Sequence, residues 1–185
     1  DESIGLILAG VYGALEKPVE ARKIYHAILA VNPKQEDACL FLGKMMISEK
    51  QWREAEAWLN GCQRKHPKEG VFAYQLGKLF VEKGDFKKAA QSFEDSHKRE
   101  PDSTQAAAAL GVVYEQQEKP LMAVAVYERH LKTKPNDTVI LNRIVQTLFA
   151  LERFAEVLPY AEALVDQEPE NLNMRVKLGI LYTDS

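Results

Sequence analysis

Residues 82–101 read EKGDFKKAAQSFEDSHKREP, and this stretch decides the fold. Gly84 and Asp85 are turn residues at its start. The apolar residues that follow recur at helical spacing: Phe86, Ala89, Ala90 and Phe93. Because proline lacks a backbone N–H and clashes with the carbonyl four residues before it, a helix must end ahead of Pro101. The stretch therefore predicts a turn, an amphipathic helix and a stop.

The same stop recurs along the chain. Prolines stand 34 residues apart, at positions 33, 67, 101, 135 and 169. A fixed interval of this length indicates one folding unit repeated, rather than five unrelated helix ends. Pro18 and Pro120 lie 102 residues apart, which is three intervals, so they share another position of the repeat. We expect both in the first turn of a helix, where the missing N–H does no harm.

The composition is that of an ordinary globular chain. Of 185 residues, 46% are hydrophobic and 28% are charged, and the formal net charge is -3. There is no overall positive charge to attract nucleic acid, and no apolar run approaches the ~20 residues that span a bilayer. We therefore expect no nucleic-acid partner and no direct membrane insertion. The sequence favours a soluble protein of the cytoplasm or the bacterial periplasm, without choosing between them.

Superimposing the periods shows which positions are small and which are large. One mid-helix position is mostly glycine: Ala9, Gly43, Gly77, Gly111, Val145 and Gly179. A position in the following helix is mostly large: Tyr25, Leu59, Phe93, Tyr127 and Ala161. Small residues recur where two helix backbones approach closely, and large residues recur where a gap must be filled.

This pattern resembles the tetratricopeptide repeat, a helix–turn–helix unit of 34 residues. Repeats 2, 3 and 4 match best. Their first-helix and second-helix segments read LFLGKMM and EAEAWL, YQLGKLF and KAAQSF, and AALGVVY and MAVAVY. The resemblance covers the whole chain as five full repeats, about 2–35, 36–69, 70–103, 104–137 and 138–171, and a partial repeat, 172–185. It implies an all-α fold, a right-handed α-solenoid of stacked antiparallel helix hairpins forming one array. Repeat 5 departs most, because Val145 and Ala161 occupy its glycine and aromatic positions.

The period also predicts where each helix begins and ends. First helices are expected near 2–15, 36–49, 70–83, 104–117, 138–151 and 172–184. Second helices are expected near 18–31, 52–65, 86–99, 120–133 and 154–167. No linker or low-complexity tract interrupts the array, which favours a single domain.

The motifs give no support for catalysis or metal binding. We interpret the four histidines, His26, His66, His97 and His130, as surface or helix-boundary residues, because none forms HExxH or pairs with a cysteine at zinc spacing. The Leu-Gly pairs lie mid-helix, and no glycine-rich phosphate loop is present. We therefore expect no enzymatic activity, no cofactor and no metal site.

The two cysteines fall at one end of the same predicted hairpin. Cys39 lies near the start of one helix, and Cys62 lies near the end of its antiparallel partner. A disulfide between them is one interpretation, since the two Cα atoms are expected near the ~5.5 Å that a disulfide needs. We favour two free, buried cysteines, because that is the commoner use of cysteine in a helical core.

The resemblance implies a concave groove lined by the first helices, where members of the family bind peptides or partner helices. The inward positions of repeats 2 and 3 carry Asp37, Leu40, Lys44, Tyr74 and Lys78. Lys44 and Lys78 are one period apart, and we expect them side by side with Tyr74 close to both. Two ammonium groups near an aromatic ring suit an acidic peptide or a free C-terminal carboxylate. The alternative is a pair of lysines on a solvated helix face.

The same positions of repeats 4 and 5 are less charged. They carry Ala108, Val112, Glu115, Asn142, Gln146 and Phe149. We expect a shallow apolar floor at residues 106–111, with Phe149 as a wall. Some family members clamp chaperone tails with a lysine–asparagine–arginine set, but Leu6 and Leu40 stand where such a lysine is needed. Chaperone binding is therefore not expected.

The last residues begin a sixth repeat with Leu178 and Tyr182. Its apolar face lacks a second helix, which indicates either a fragment of a longer protein or a self-association surface made by these two residues. We favour a non-catalytic scaffold that binds a peptide or partner segment in the groove. The alternative is a self-associating array that forms homo-oligomers through the open sixth repeat.

Overall fold

The computed structural model describes the backbone of residues 2–183 and the side chains of that range other than Ile180 and Thr183. Its regular structure over this range is eleven helices without a strand: α1 (Glu2–Ala14), α2 (Pro18–Val31), α3 (Glu36–Ser48), α4 (Trp52–Lys65), α5 (Val71–Glu82), α6 (Phe86–Arg99), α7 (Thr104–Gln116), α8 (Pro120–Leu131), α9 (Thr138–Ala150), α10 (Phe154–Gln167) and α11 (Leu172–Thr183). The prediction of an all-α fold is confirmed, and the predicted helix bounds are within two residues of those observed. Residue 184, where the last predicted helix ends, lies outside the described residues.

Consecutive helices pair as hairpins, and neighbouring hairpins pack together within residues 2–99 and within residues 100–183. Within a hairpin, α3 packs on α4, α5 on α6, and α7 on α8. Between hairpins, α2 packs on α3, α4 on α5, and α8 on α9. The chain forms two compact units, residues 1–99 with α1 to α6 and residues 100–185 with α7 to α11. Each unit has its own core.

Size complementarity across each hairpin explains the recurring glycine. A Cβ atom placed on Gly43 would lie 2.4 Å from Leu59, and one on Gly77 would lie 2.5 Å from Phe93. On Gly111 it would lie 2.2 Å from the Tyr127 ring. Only a glycine leaves room for the large residue opposite. In repeat 5 both sizes change together, because the larger Val145 is accompanied by the smaller Ala161, and both are fully buried.

A residue with the left-handed backbone conformation follows the first helix of every hairpin and ends it. Five residues with φ between +55° and +73° recur at 34-residue intervals: Glu16, Lys50, Gly84, Glu118 and Glu152. The residue after each donates its N–H to the carbonyl five positions earlier, as Lys119 does to Tyr114 at 2.9 Å. This bond satisfies a carbonyl that the helix end would leave unpaired. Glycine is the usual residue there, so Gly84 alone signals the turn in the sequence.

Proline and polar caps mark where helices begin. Pro18 and Pro120 are the first residues of α2 and α8, as the sequence predicts. Polar side chains cap four first helices by accepting backbone N–H groups: Gln35, Ser103, Asp137 and Asn171. Each capping bond satisfies a donor that the first turn of the helix leaves open.

The buried polar residues include two histidines that the sequence assigns to the surface or to helix boundaries. His97 and His130 lie in the last turns of α6 and α8, as boundary residues, but they are 3% and 0% exposed and so are not on the surface. His130 Nε2 lies 2.9 Å from Asp137 Oδ2, and Thr104 donates a hydrogen bond to the same carboxylate. The recurring apolar face of α8 therefore includes a histidine whose polar partner comes from the following turn, 7 residues away in sequence. Periodicity alone does not reveal such a pairing.

The two cysteines are free and buried, as favoured above. The Cys62 thiol donates a hydrogen bond to Cys39 across the α3–α4 hairpin, and this bond, with burial, raises the pKa of Cys62. The Trp58 indole N–H donates to the Cys39 carbonyl oxygen at 2.9 Å. Both thiols thus act as small core residues that join α3 to α4.

Candidate interaction site

Lys44 on α3 and Lys78 on α5 line one depression of the first unit. The depression has a volume of about 350 Å³, and its charged residues are Lys44, Lys50, Lys78 and Glu82. Three lysines against one glutamate give it a net charge of +2. We call it the cationic depression. The structure therefore brings together the two lysines that the sequence pairs by their period.

An aromatic stack supports one of these lysines. The Lys44 ammonium lies 5.2 Å from the centre of the Phe41 ring, and Phe41 stacks on Tyr25 at 5.3 Å. This cation–π contact holds Lys44 in place without neutralising it. Neither Lys44 nor Lys78 has a carboxylate partner within 4.0 Å among residues 2–183, so both charges remain available to a ligand.

The other residues expected here do not line the cationic depression. Tyr74 is half-buried, its ring centre lies 5.4 Å from that of Phe93, and burial raises its pKa. Gln75, the next residue, lines the depression instead. Asp37 is exposed in the first turn of α3, and Leu40 is half-buried. Lys50 and Glu82 are the other charged residues of the lining. The sequence does not point to either of them when only the inward positions of the first helices are followed.

A second depression, of about 550 Å³, lies between α7 and α9 in the second unit. Its polar lining consists of Glu115, Glu118, Arg143, Gln146 and Thr147. We call it the polar depression. Of the residues expected in this region, it contains Glu115 and Gln146. Glu118 occupies the same repeat position as Lys50, the left-handed residue after the first helix. That shared position, which Gly84 also occupies, is the signal in the sequence that points to both residues.

Residues 106–111, which were expected to form an apolar floor, do not line the polar depression. Ala106 and Ala107 are fully buried, while Ala108 and Val112 are half-buried and lie outside the lining. The Asn142 side chain donates to the carbonyl of Thr138 in its own helix at 2.8 Å.

Phe149 does not form the expected wall of the polar depression. Its ring centre lies 5.8 Å from that of Phe154 on α10, and the Lys177 ammonium lies 5.6 Å from its centre. Phe149 thus packs towards α10 and α11 and is absent from the lining of the depression.

The two residues expected to mediate self-association differ in exposure. Leu178 is half-buried, whereas Tyr182 is 54% exposed and its hydroxyl donates to Glu162 at 2.5 Å. Leu172 and Val176 on the same helix are 69% and 63% exposed. The exposed apolar surface of α11 therefore involves Leu172 and Val176 more than Leu178.

Two absences apply to the described part of the chain. No group of three histidine, cysteine, aspartate or glutamate residues there is arranged to hold a metal ion. No helix there is both long enough and apolar enough to cross a membrane.

Comparisons with known proteins agree with the repeat architecture. Two family models, both described as tetratricopeptide repeat, match residues 14–76 and 74–138. No curated protein sequence matches this chain significantly.

Several solved structures share the fold. MamA is 17% identical over 93% of this chain and 94% of its own, with a TM-score of 0.69. PilF of Pseudomonas aeruginosa is 16% identical over 99% and 85%, with a TM-score of 0.71. YrrB, a tetratricopeptide repeat protein with an unusual peptide-binding site, is 19% identical over 86% and 82%, with a TM-score of 0.63. With its helix hairpins, its 34-residue period and these matches, the chain belongs to the tetratricopeptide repeat superfamily.

Proposed function

We propose that this chain is a protein-interaction scaffold that binds an acidic peptide segment in the cationic depression. The observation that carries the proposal is the shared depression of Lys44 and Lys78. Proteins of this superfamily are generally protein–protein interaction scaffolds, and YrrB is described as having a peptide-binding site. The ligand chemistry follows from the charge of the lining: a carboxylate-bearing segment makes charge-assisted hydrogen bonds with lysine ammonium groups.

The depression suits a short peptide segment better than a small cofactor. A volume of about 350 Å³ accommodates a few side chains and lies at the low end for small-molecule pockets. Its two facing walls belong to consecutive first helices, so an extended segment lying across α3 and α5 reaches both lysines. Gln75 adds an amide that can bond to the backbone of that segment.

Charge reversal tests the proposal. The probe is a fluorescein-labelled decapeptide of alternating glutamate and serine, with its affinity measured by fluorescence anisotropy at low and high salt. The double variant Lys44→Glu/Lys78→Glu is expected to lose at least about tenfold in affinity, because rim and groove charges act through long-range attraction that salt screens. The wild-type affinity should also fall as salt rises.

A matched control separates a specific site from general charge. Lys68 and Lys87 are exposed and lie outside the lining of the depression. The variant Lys68→Glu/Lys87→Glu changes the net charge equally and should bind nearly as well as wild type. Equal losses in the two double variants, or no loss in either, would refute the proposed site.

A second candidate function is self-association, which the exposed Leu172 and Val176 on α11 favour. Sedimentation equilibrium over a hundredfold concentration range tests it. A mass that climbs from 20.9 kDa with concentration, and returns to that value in Leu172→Glu/Val176→Glu, would support this function. A constant mass would exclude it over the range measured.

A further inference from the structure

Glu115 in the polar depression is held by two hydroxyl groups. The Tyr127 hydroxyl donates to Glu115 Oε1 at 3.1 Å. The Thr147 hydroxyl lies 2.7 Å from the same oxygen and 2.9 Å from the Arg143 carbonyl oxygen, so its single proton is shared between these two acceptors. Tyr127 is fully buried and Thr147 is 7% exposed, so both donors are fixed by packing. Burial, together with the Glu115 charge, raises the pKa of Tyr127, which keeps its hydroxyl protonated as a donor. The carboxylate is therefore oriented before any ligand arrives.

The second oxygen of Glu115 has no such partner. Both hydroxyl bonds go to Oε1, and within residues 2–183 no protein donor bonds to Oε2. Arg143 lines the same depression but does not approach Glu115 within the 4.0 Å of an ion pair. Glu115 is only partly buried, so its Oε2 atom can accept a hydrogen bond from a ligand that enters the depression.

The charge and shape of the polar depression indicate which chemical group would donate to Glu115 Oε2. Glu115 and Glu118 against Arg143 give a net charge of -1, opposite in sign to the cationic depression. Gln146 adds a side-chain carbonyl to the two carboxylates. A guanidinium group has several N–H donors in a planar fork and can bond to acceptors on more than one side, whereas an ammonium is a compact point charge. The volume of about 550 Å³ is ample for one long side chain.

We infer that the polar depression is a subsite for an arginine side chain of a bound peptide, with Glu115 Oε2 as its principal acceptor. The inference rests on the proposed role in protein interaction and adds a second contact of opposite charge. It does not depend on Lys44 or Lys78, which lie in the other compact unit.

The experiment uses the full chain and a neutral isostere of the probe. N-acetyl-arginine amide is titrated into ¹⁵N-labelled protein, and the amide signals of Thr147 and Gln146 are followed. N-acetyl-citrulline amide, which has nearly the same shape without the charge, is titrated in parallel. We expect saturable shifts at these two residues with the arginine probe and weaker, unsaturated shifts with citrulline.

Two variants separate ligand binding from a structural role. Glu115→Gln keeps a carbonyl oxygen to accept from Tyr127 and Thr147, so the fold is retained, but it should weaken arginine binding about tenfold, as expected for loss of a charged acceptor. Arg143→Gln removes the only positive charge of the lining and should strengthen binding. Glu170→Gln, an exposed position outside the depression, is the matched control and should bind like wild type.

The outcomes are distinct from those of the peptide test on Lys44 and Lys78. Equal shifts with arginine and citrulline, undiminished binding in Glu115→Gln, or weaker binding in Arg143→Gln would each overturn the arginine subsite. Absence of any shift at Thr147 and Gln146 would overturn it as well. None of these results would bear on the proposal for the cationic depression, because its test uses a different probe and concerns the other compact unit.

Discussion

At the scale of single residues, the packing of the α3–α4, α5–α6 and α7–α8 hairpins depends on a glycine, which has no Cβ atom. In α5, Gly77 faces the Phe93 ring, and an added Cβ would meet three ring carbons at 2.5 to 2.8 Å. Both residues are buried, so neither can move without disturbing its neighbours. A glycine within a helix is unfavourable because it loses more backbone entropy on folding than other residues. Its presence here indicates that the close packing of α5 against Phe93 outweighs this entropic cost.

Gly77→Ala is expected to destabilise the protein by about 1–3 kcal/mol, the usual cost of overpacking a core. Urea unfolding followed by circular dichroism measures it. Gly10→Ala is the control, because no atom lies within 4 Å of the added Cβ at this exposed position of α1. That change should stabilise by about 0.5–1 kcal/mol through helix propensity alone. Two substitutions with the same sign of effect would show that contact with Phe93 is not the reason for the glycine.

Asp137 makes the stability of the second unit sensitive to acid. Burial favours the protonated carboxyl, but hydrogen bonds from Thr104, His130 and the backbone N–H of Ile140 outweigh it and hold the pKa of Asp137 below its ordinary value. A carboxyl with a lowered pKa in the folded state binds fewer protons there than in the unfolded chain. Its contribution is therefore full above the ordinary pKa of about 4 and is lost as pH falls below it.

Asp137→Asn should lower the free energy of unfolding at pH 7 and flatten its decline between about pH 5 and pH 3, where aspartate titrates. Acid titration with urea unfolding at each pH measures both effects. Asp102→Asn, at an exposed turn position, is the matched control and should leave the slope unchanged. An Asp137→Asn slope equal to wild type would mean that other carboxyls carry the acid sensitivity.

At the scale of helices, the sequence predicts positions well and side-chain partners poorly. Every helix could be placed because a proline, a glycine position and an apolar face recur at one period. The left-handed turns at Glu16, Lys50, Glu118 and Glu152 can be inferred only from the repeat position that they share with Gly84, because a glutamate or lysine carries no local signal for positive φ. Both depressions are lined partly by residues of those turns and of the flanks of the first helices. Only part of each lining could therefore be predicted. The predicted residues are Lys44 and Lys78 in the cationic depression and Glu115 and Gln146 in the polar depression.

Pro159 lies inside α10, the one second helix with an internal proline. It cannot donate to the carbonyl of Ala155, and its exposed side chain does not compensate by packing in the core. Pro159→Ala is therefore expected to stabilise the second unit, by up to about 3 kcal/mol. Thermal unfolding measures the change, with Pro169→Ala, which lies between α10 and α11, as the control. A lower melting temperature for Pro159→Ala would show that the proline serves the fold of α10.

At the scale of the whole molecule, burial is uneven along the repeats. In the first unit, α5 has seven buried residues, whereas α1 has Ala9 alone. In the second unit, α8 and α9 each have six buried residues, while the described side chains of α11 include two, Met174 and Leu181. In a repeat protein each hairpin is stabilised by its own packing and by its neighbours, so local stability follows this distribution.

Native-state hydrogen exchange is expected to reproduce that gradient within each unit. Amides of α5 in the first unit and of α8 and α9 in the second should exchange most slowly. Those of α1 and α11 should exchange fastest, because helices with few buried contacts open without unfolding the rest. Mass spectrometry of peptic fragments over a time course resolves the difference. A single protection level throughout a unit would instead mean that the unit unfolds only as a whole. The proposed peptide-binding depressions would then have no neighbouring helix that opens locally. If the gradient is present, the cationic depression is lined by a stable helix, α5, and by α3, which has fewer buried residues. Binding of the acidic probe peptide should then slow hydrogen exchange most in α3.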